Sequence, residues 1–217
     1  LDRAVALAGK YGLKVIMCTP SPTPPVWLSK KYPDILIRRD NGVNIQHGRR
    51  QHASWSSERY CDFVKNIVTK LAERYGKNPT VIGWQIDNEP GHYGLVDYSE
   101  NAQQKFRLWL RRKYKTIDQL NATWGNTFWS ESYQHFDQIR LPNQQELPEK
   151  PNPHAMLDMN RFMADELAGF VNMQADVLHK NISEKQWITT NLIPVFNPVD
   201  PVRMDHLDFT TYTRYLV

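Results

Sequence analysis

Four consecutive residues, Asp87-Asn88-Glu89-Pro90, hold the densest concentration of chemically useful side chains in the chain. They place two carboxyl groups and an amide directly after the apolar run Thr80-Val81-Ile82-Gly83-Trp84-Gln85-Ile86 and before a stretch containing Gly91 and Gly94. A carboxylic acid beside a scissile oxygen can protonate a leaving group, and a neighbouring amide can hydrogen-bond a sugar hydroxyl. Acetal cleavage uses both. Glu89 and Asn88 supply those residue types at adjacent positions. The same carboxylates would serve equally well to cap a following helix or to form a salt bridge, so the tetrapeptide alone leaves both readings open.

An acid is aimed reproducibly only from a rigid element, and the run before Asp87 has the near-continuous apolar character of a strand covered on both faces of a parallel sheet. Other elements fall around it. Residues 1 to 10 space their apolar positions as a helix closed by Tyr11-Gly12, and Lys14-Val15-Ile16-Met17-Cys18 reads as a strand. Thr19 to Pro25 contains four prolines and must be a stiff loop. From Tyr60 the positions Phe63, Val64, Ile67, Val68 and Leu71 recur at helical spacing, with Ser56 or Ser57 as N-cap and Gly76 as the stop. Two more helices are predicted, one through Ala102, Phe106, Trp109 and Leu110, and a long one through Phe162, Leu167, Phe170, Val177 and Leu178. An aromatic, polar and proline-containing insertion, roughly residues 123 to 153, separates them. Trp187 to Leu192 and Leu207 to Tyr212 complete a set of four strands with no internal repeat.

Strands alternating with helices argue for an α/β architecture with a parallel sheet, either a (β/α)₈ TIM barrel or an open doubly wound sheet. Neither GxGxxG nor GxxxxGK[ST] occurs, so a dinucleotide or phosphate site has no turn to sit on. A barrel gathers its functional side chains at the C-terminal ends of strands, where the unusual residues of this chain fall.

With 41% hydrophobic residues, the 217-residue chain can bury a sizeable core as a soluble globular protein. A net charge of +4 and a pI near 9.0 do not indicate nucleic acid, because Lys and Arg are dispersed among 23 acidic residues. The denser stretches, Arg38-Arg39 and Arg107 to Lys115, read as solvated faces. No apolar run approaches the roughly 20 residues that span a bilayer, so no membrane partner is expected. Cys18 and Cys61 are too few for a disulfide framework and have no CxxC spacing. His47 and His52 lack a third ligand, and no cofactor or metal is expected. The chain opens at Leu1-Asp2-Arg3 without Met and already at helical spacing, as an excerpt from a longer protein would.

Asn-Glu after Val-Ile-Gly-Trp-Gln-Ile-Asp resembles the acid/base motif of the clan of barrel glycosidases that carries this pair at the end of its fourth strand. More narrowly, the chain resembles the β-galactosidases of glycoside hydrolase family 42. The matching stretches are Thr19-Pro20 to Leu28 with Lys31-Tyr32-Pro33, Gly48 to His52, Trp84 to Glu89, Leu120 to Gly125 with Phe128-Trp129-Ser130, and Leu207-Asp208-Phe209. They run in family order from one end of the chain to the other.

The resemblance implies Glu89 as acid/base and Asn88 as the amide contacting the hydroxyl next to the anomeric carbon. It implies Arg50, or Arg49 if the register slips by one, as the arginine that hydrogen-bonds galactose, Trp124 as an aromatic wall, and Tyr215 as a tyrosine near the nucleophile. Plainer roles stand beside these: Arg50 as a surface charge and Trp124 as core filling under the insertion. The neighbours of Tyr215, namely Tyr212, Thr213 and Arg214, depart from the family's Trp-Asp-x-Tyr run. Some members bind zinc through cysteines just after the acid/base, but Gly91 to Tyr98 contains none, so zinc is not expected.

Retaining hydrolysis needs a second carboxylate about 5 to 5.5 Å from the first. In this family it ends the seventh strand. Counting Val15 as the third strand, the chain reaches the sixth, and Glu100, Glu131, Glu146, Glu149, Glu166 and Glu184 all fall in helices or the insertion. Residues 1–217 are therefore expected to form a partial catalytic TIM-barrel domain that lacks the first two and last two strands and the nucleophile. Such a piece would be inactive alone and prone to associate through its sheet edges. The implied function is retaining cleavage of terminal β-D-galactosides, by a full-length homo-oligomer. Another barrel β-glycosidase (β-glucosidase, β-mannosidase or endo-acting) and a non-catalytic carbohydrate-binding chain remain as alternatives. The compartment is left unknown, with a cytoplasmic one favoured.

Overall fold

A computed structural model describes residues 1–91, 96–146, 149–193 and 199–214. Its four strands, β1 (Val15–Cys18), β2 (Val81–Gln85), β3 (Trp187–Leu192) and β4 (Phe209–Tyr212), form one sheet. All neighbours are parallel, and the spatial order β1-β2-β3-β4 is the order in sequence. A doubly wound sheet reverses its order at a switch point. Strands that add always to the same side, as here, build a barrel wall with helices on the outside.

The helices are α1 (Asp2–Lys10), α2 (Val26–Lys31), α3 (Glu58–Tyr75), α4 (Glu100–Tyr114), α5 (Ile117–Trp124) and α6 (Pro153–His179). Side-chain caps start four of them. Ser57 accepts from the Tyr60 N–H, Ser99 from Ala102, Thr116 from Gln119, and Asn152 from His154 and Ala155. Of the two serines proposed to start α3, it is Ser57 that does so. The short α2 and α5 were not anticipated. Neither spans much more than two turns, too short for a periodicity to stand out, although α5 carries its own punctuation in Thr116 and in Gly125 at φ +70°. The irregular insertion accordingly begins at Gly125 and ends where Pro153 opens α6.

The register fixes which side chains share a face. Met17, Trp84 and Ile188 align across three strands toward the helices. They are buried there with Ile86 and Leu192 and meet Val64, Val68 and Ala72 of α3 and Val171, Ala175 and Leu178 of α6. Tyr60 of α3 stacks on Phe170 of α6 at 5.9 Å. The opposite face carries Ile16, Gly83 and Trp187 in one row and Cys18, Gln85, Thr189 and Phe209 in the next. Gly83 is required there, because a Cβ on it would collide with the Trp187 indole. Ile16 and Phe209 on this face are nearly half exposed. Apolar side chains on the open face of a parallel sheet are what a barrel interior presents.

A second core is built by the segments between β2 and α6 together with the N-terminal half of α6. Phe106 and Leu110 of α4, Leu120 and Trp124 of α5, Phe136, Ile139 and Leu141 of the insertion, and Met159, Phe162 and Met163 of α6 pack together. The 27-residue α6 therefore serves both cores, the insertion with its first half and the sheet with its second. No described helix is long and apolar enough to cross a membrane.

Candidate active site

The chain leaves β2 at Gln85 and turns abruptly, with Asp87 at φ +56° and Glu89 at φ +49° on either side of Asn88. Non-glycine residues in the left-handed region cost on the order of 1 kcal/mol or more each and persist only where their surroundings hold them. Here the restraints can be named. Gln51, itself buried and at φ +59°, donates its Nε2 to the carbonyl oxygens of both Asn88 (2.9 Å) and Glu89 (2.7 Å). The Glu89 N–H donates to Asn191 Oδ1 at 3.1 Å. Two side-chain amides, from the β1–α3 loop and from the end of β3, grip the turn from opposite sides.

Asp87, the first of the two carboxylates, faces inward. It is buried, accepts from Ser21 Oγ at 2.7 Å and from the Asn88 N–H at 2.6 Å, and its own N–H donates to Thr19 Oγ1 at 2.8 Å. Ser21 in turn has its carbonyl bonded by the Tyr60 hydroxyl. Burial pushes the Asp87 carboxyl up to about 6, against the opposing pull of the Ser21 and Asn88 bonds and of the Arg50 charge. Asp87 ties the proline-rich loop after β1 to the end of β2.

Glu89 is 4% exposed, and Arg50 Nη2 lies 3.8 Å from its Oε2. The Arg50 side chain is 42% exposed, so it runs between the buried acid and solvent. Asn88 Nδ2 is buried without a hydrogen-bond partner among the described residues, a donor already desolvated and aimed. Asn88, Glu89 and Arg50, three of the residues singled out in the sequence, thus converge at one strand end.

Arg50 and Gln51 reach this place because residues 35 to 54 fold back on themselves. Isolated antiparallel bridges pair Leu36 with Ala53 and Arg38 with Asn44, with Ile35 and Ile37 buried beneath. The fold-back is anchored by Asp97, which accepts from Ser54 Oγ, from the Ser99 N–H and hydroxyl, and from the Arg38 N–H. Burial pushes the Asp97 carboxyl up.

Trp124, also singled out in the sequence, lies elsewhere. Trp124 is 3% exposed in the second core, where its ring meets Tyr114 and Tyr133 edge-on and its Nε1 donates to Asp158 at 3.0 Å. That placement has the features of the plainer reading, core filling under the insertion. Trp124 also edges a separate cavity of about 520 Å³, which Trp129, Glu131, Tyr133 and Arg140 help to line. Tyr215 lies outside the described residues. Gln51 and Asn191 were missed. The first belongs to the Gly48-to-His52 stretch from which only the arginines were drawn, and the second meets the same strand-end criterion that picked out Asn88.

Among the described residues no group of three or more His, Cys, Asp or Glu side chains is placed to hold a metal ion. His52 is buried with its Nδ1 against the Arg49 carbonyl at 3.0 Å, and burial holds it below the ordinary histidine value.

A sequentially ordered parallel sheet with a restrained Asn-Glu pair and an arginine at its C-terminal strand ends has the architecture of a barrel enzyme acting on a polar substrate. The chain belongs to the glycoside hydrolase family 42 beta-galactosidase family, whose profile matches residues 1–217. It is 39% identical over 217 residues to beta-galactosidase BgaA of Thermus sp, covering 99% of this chain and 33% of that one. The crystal structure of the beta-galactosidase from the psychrophilic Marinomonas ef1 superposes with a TM-score of 0.93 at 36% identity, covering 99% of this chain and 32% of that one. The enzyme from the Antarctic haloarchaeon Halorubrum lacusprofundi gives 0.93 at 33% identity, covering 99% and 32%. The chain therefore spans about a third of the length of the relatives it matches.

Proposed function

We propose that the complete protein is a retaining β-galactosidase in which Glu89 is the general acid/base. The observation that carries this reading is the juxtaposition at the end of β2. A buried carboxylate, an amide donor on the preceding residue that is buried and unpartnered among the described residues, and an arginine 3.8 Å from the acid share one strand end.

In this reading Glu89 protonates the glycosidic oxygen as the bond to the aglycone breaks, then takes a proton from the water that releases the sugar. Asn88 Nδ2 donates to the hydroxyl beside the anomeric carbon, a bond that strengthens as positive charge develops on the ring. Arg50, partly exposed at the rim, hydrogen-bonds a further hydroxyl of galactose. Asp87 is committed to Ser21 and the Asn88 N–H, and no other carboxylate stands at a C-terminal strand end among the described residues. The nucleophile is accordingly assigned to a part of the complete enzyme beyond these residues.

A panel of aryl β-D-galactoside, β-D-glucoside and β-D-mannoside substrates tests the assignment on the complete enzyme. The expected result is a kcat/KM for the galactoside well above the other two. A preference for glucoside or mannoside would move the protein to another barrel β-glycosidase activity, and binding without turnover of any of the three would make it a carbohydrate-binding chain.

A further inference from the structure

We infer that Asn191 is a positioning residue that sets which way the Asn88 amide faces and holds the backbone of Glu89 in its left-handed turn. This rests on the reading of Asn88 as the contact to the hydroxyl beside the anomeric carbon.

The orientation of Asn191 follows from an obligatory donor. Its Oδ1 lies 3.1 Å from the Glu89 backbone nitrogen, which can only donate, so the oxygen must face that nitrogen. The same oxygen accepts from Gln85 Nε2 at 3.1 Å, a side chain further back along β2. With the oxygen fixed, Asn191 Nδ2 must point the other way, where it donates to Thr213 Oγ1 at 2.9 Å and to Asn88 Oδ1 at 3.4 Å. A donor opposite Asn88 requires an acceptor from Asn88, so the Asn88 carbonyl oxygen turns toward β3. Its Nδ2 is left on the far side, buried and unpartnered among the described residues.

A chain of complementary bonds thus runs from the Glu89 N–H through Asn191 to the Asn88 amide. One residue at the end of β3 couples both members of the pair: its oxygen holds the acid's backbone and its nitrogen selects the rotamer that presents a donor to substrate. Thr213, just past β4, braces the same amide from the neighbouring strand, so three adjacent strand ends hold the pair. Gln51 contributes differently, since its Nε2 donates to the backbone carbonyls of the turn, Asn88 and Glu89, and so restrains the chain rather than the Asn88 amide.

Asn191→Asp separates the two jobs. The carboxylate still accepts from the Glu89 N–H and from Gln85, but now places an oxygen opposite Asn88, which favours the flipped amide with its donor turned away from substrate. The test compares an aryl β-D-galactoside with its 2-deoxy counterpart, using the complete enzyme with Asn191→Asp, Asn191→Ser, Asn88→Ala and the Asn88→Ala/Asn191→Asp pair. The added charge in Asn191→Asp acts on both substrates, so the ratio between them isolates the amide orientation.

The expected result is a loss of about 10- to 100-fold in kcat/KM on the galactoside beyond any loss on the 2-deoxy substrate, the scale of one hydrogen bond to a buried donor. Asn191→Ser, neutral and lacking the amide, should lose selectivity in the same direction. In the Asn88→Ala background, Asn191→Asp should no longer change the ratio. Equal losses on both substrates for Asn191→Asp and Asn191→Ser, with Asn88→Ala still selective, would overturn the inference and leave Asn191 a structural residue. Should Asn88→Ala itself lose equally on both, the reading of Asn88 as the sugar contact fails, and the role of Asn191 falls with it.

Discussion

Two carboxylates in this protein are almost equally buried and have opposite characters. Asp158, in the second core, is 1% exposed and accepts from the Lys113 ammonium, from the Tyr114 hydroxyl at 2.5 Å, from Trp124 Nε1 at 3.0 Å and from Arg161 at 3.4 Å. Its backbone is helical and its acceptor capacity is consumed by donors from α4, α5 and α6. Burial pushes its carboxyl up, but the bonds from Lys113, Tyr114 and Trp124 outweigh that and hold it below the ordinary value. Glu89, 4% exposed, sits in a left-handed turn 3.8 Å from the guanidinium of the partly exposed Arg50, and follows an amide whose donor is buried and unpartnered among the described residues. Burial alone therefore does not mark a working acid. What separates the two is whether the surrounding groups are used up by the fold or held in readiness at a strained backbone.

That contrast can be broken by removing each carboxylate in turn. Asp158→Ala leaves an ammonium, a hydroxyl and an indole N–H without their acceptor. It should destabilise the complete enzyme by about 3–5 kcal/mol in chemical denaturation, while the folded fraction keeps its kcat/KM. A site-like loss of turnover at unchanged stability would mean that the second core takes part in catalysis.

Asp87 sits between the two types, and its titration sharpens the distinction. Its folded value, about 6, lies above the ordinary 3.8, so the folded state holds this proton more tightly than the unfolded chain does. Stability from this group is fully present below the ordinary value and is lost as pH rises through the window from about 4 to about 6. The loss is up to roughly 3 kcal/mol, from two pKa units at about 1.4 kcal/mol each. Asp87→Asn, which cannot ionise, should raise Tm relative to the native residue at pH 7 and leave it little changed at pH 4. A Tm difference independent of pH would remove the buried-carboxylate account of Asp87.

Gln51→Ala tests the readiness of the turn more gently. Losing two donors to the Asn88 and Glu89 carbonyls should cost about 1–3 kcal/mol and lower kcat by about tenfold with little change in KM, because the acid is misplaced rather than the sugar's contacts deleted. A rise in KM at constant kcat would make Gln51 a substrate contact instead of a restraint.

The frame of the fold was legible because periodicity is a property of long elements. β1, β2, β3, α3, α4 and most of α6 follow from apolar spacing and caps, and Ser57, Gly76 and Pro153 mark boundaries that local chemistry sets. The strand-end location of Glu89 and Asn88 followed from the same reading. What stayed hidden depends on pairings between residues far apart in sequence. Gln51 meets Asn88 across 37 positions, Asn191 meets Glu89 across 102, and nothing in either local sequence announces the partner. Trp124 depends on such pairings as well: its Nε1 meets Asp158 across 34 positions, and side chains of α4 and α6 pack with it in the second core.

The most direct test of Glu89 is the dependence of Glu89→Gln on leaving-group ability in the complete enzyme. An acid that protonates the departing oxygen matters greatly for a poor alkoxide leaving group and little for an activated phenolate. The substitution should therefore lower turnover of a galactosyl disaccharide by about 10²- to 10⁴-fold while sparing the glycosylation step for a dinitrophenyl galactoside. Equal losses on both substrates would contradict the assignment of Glu89 as the acid/base.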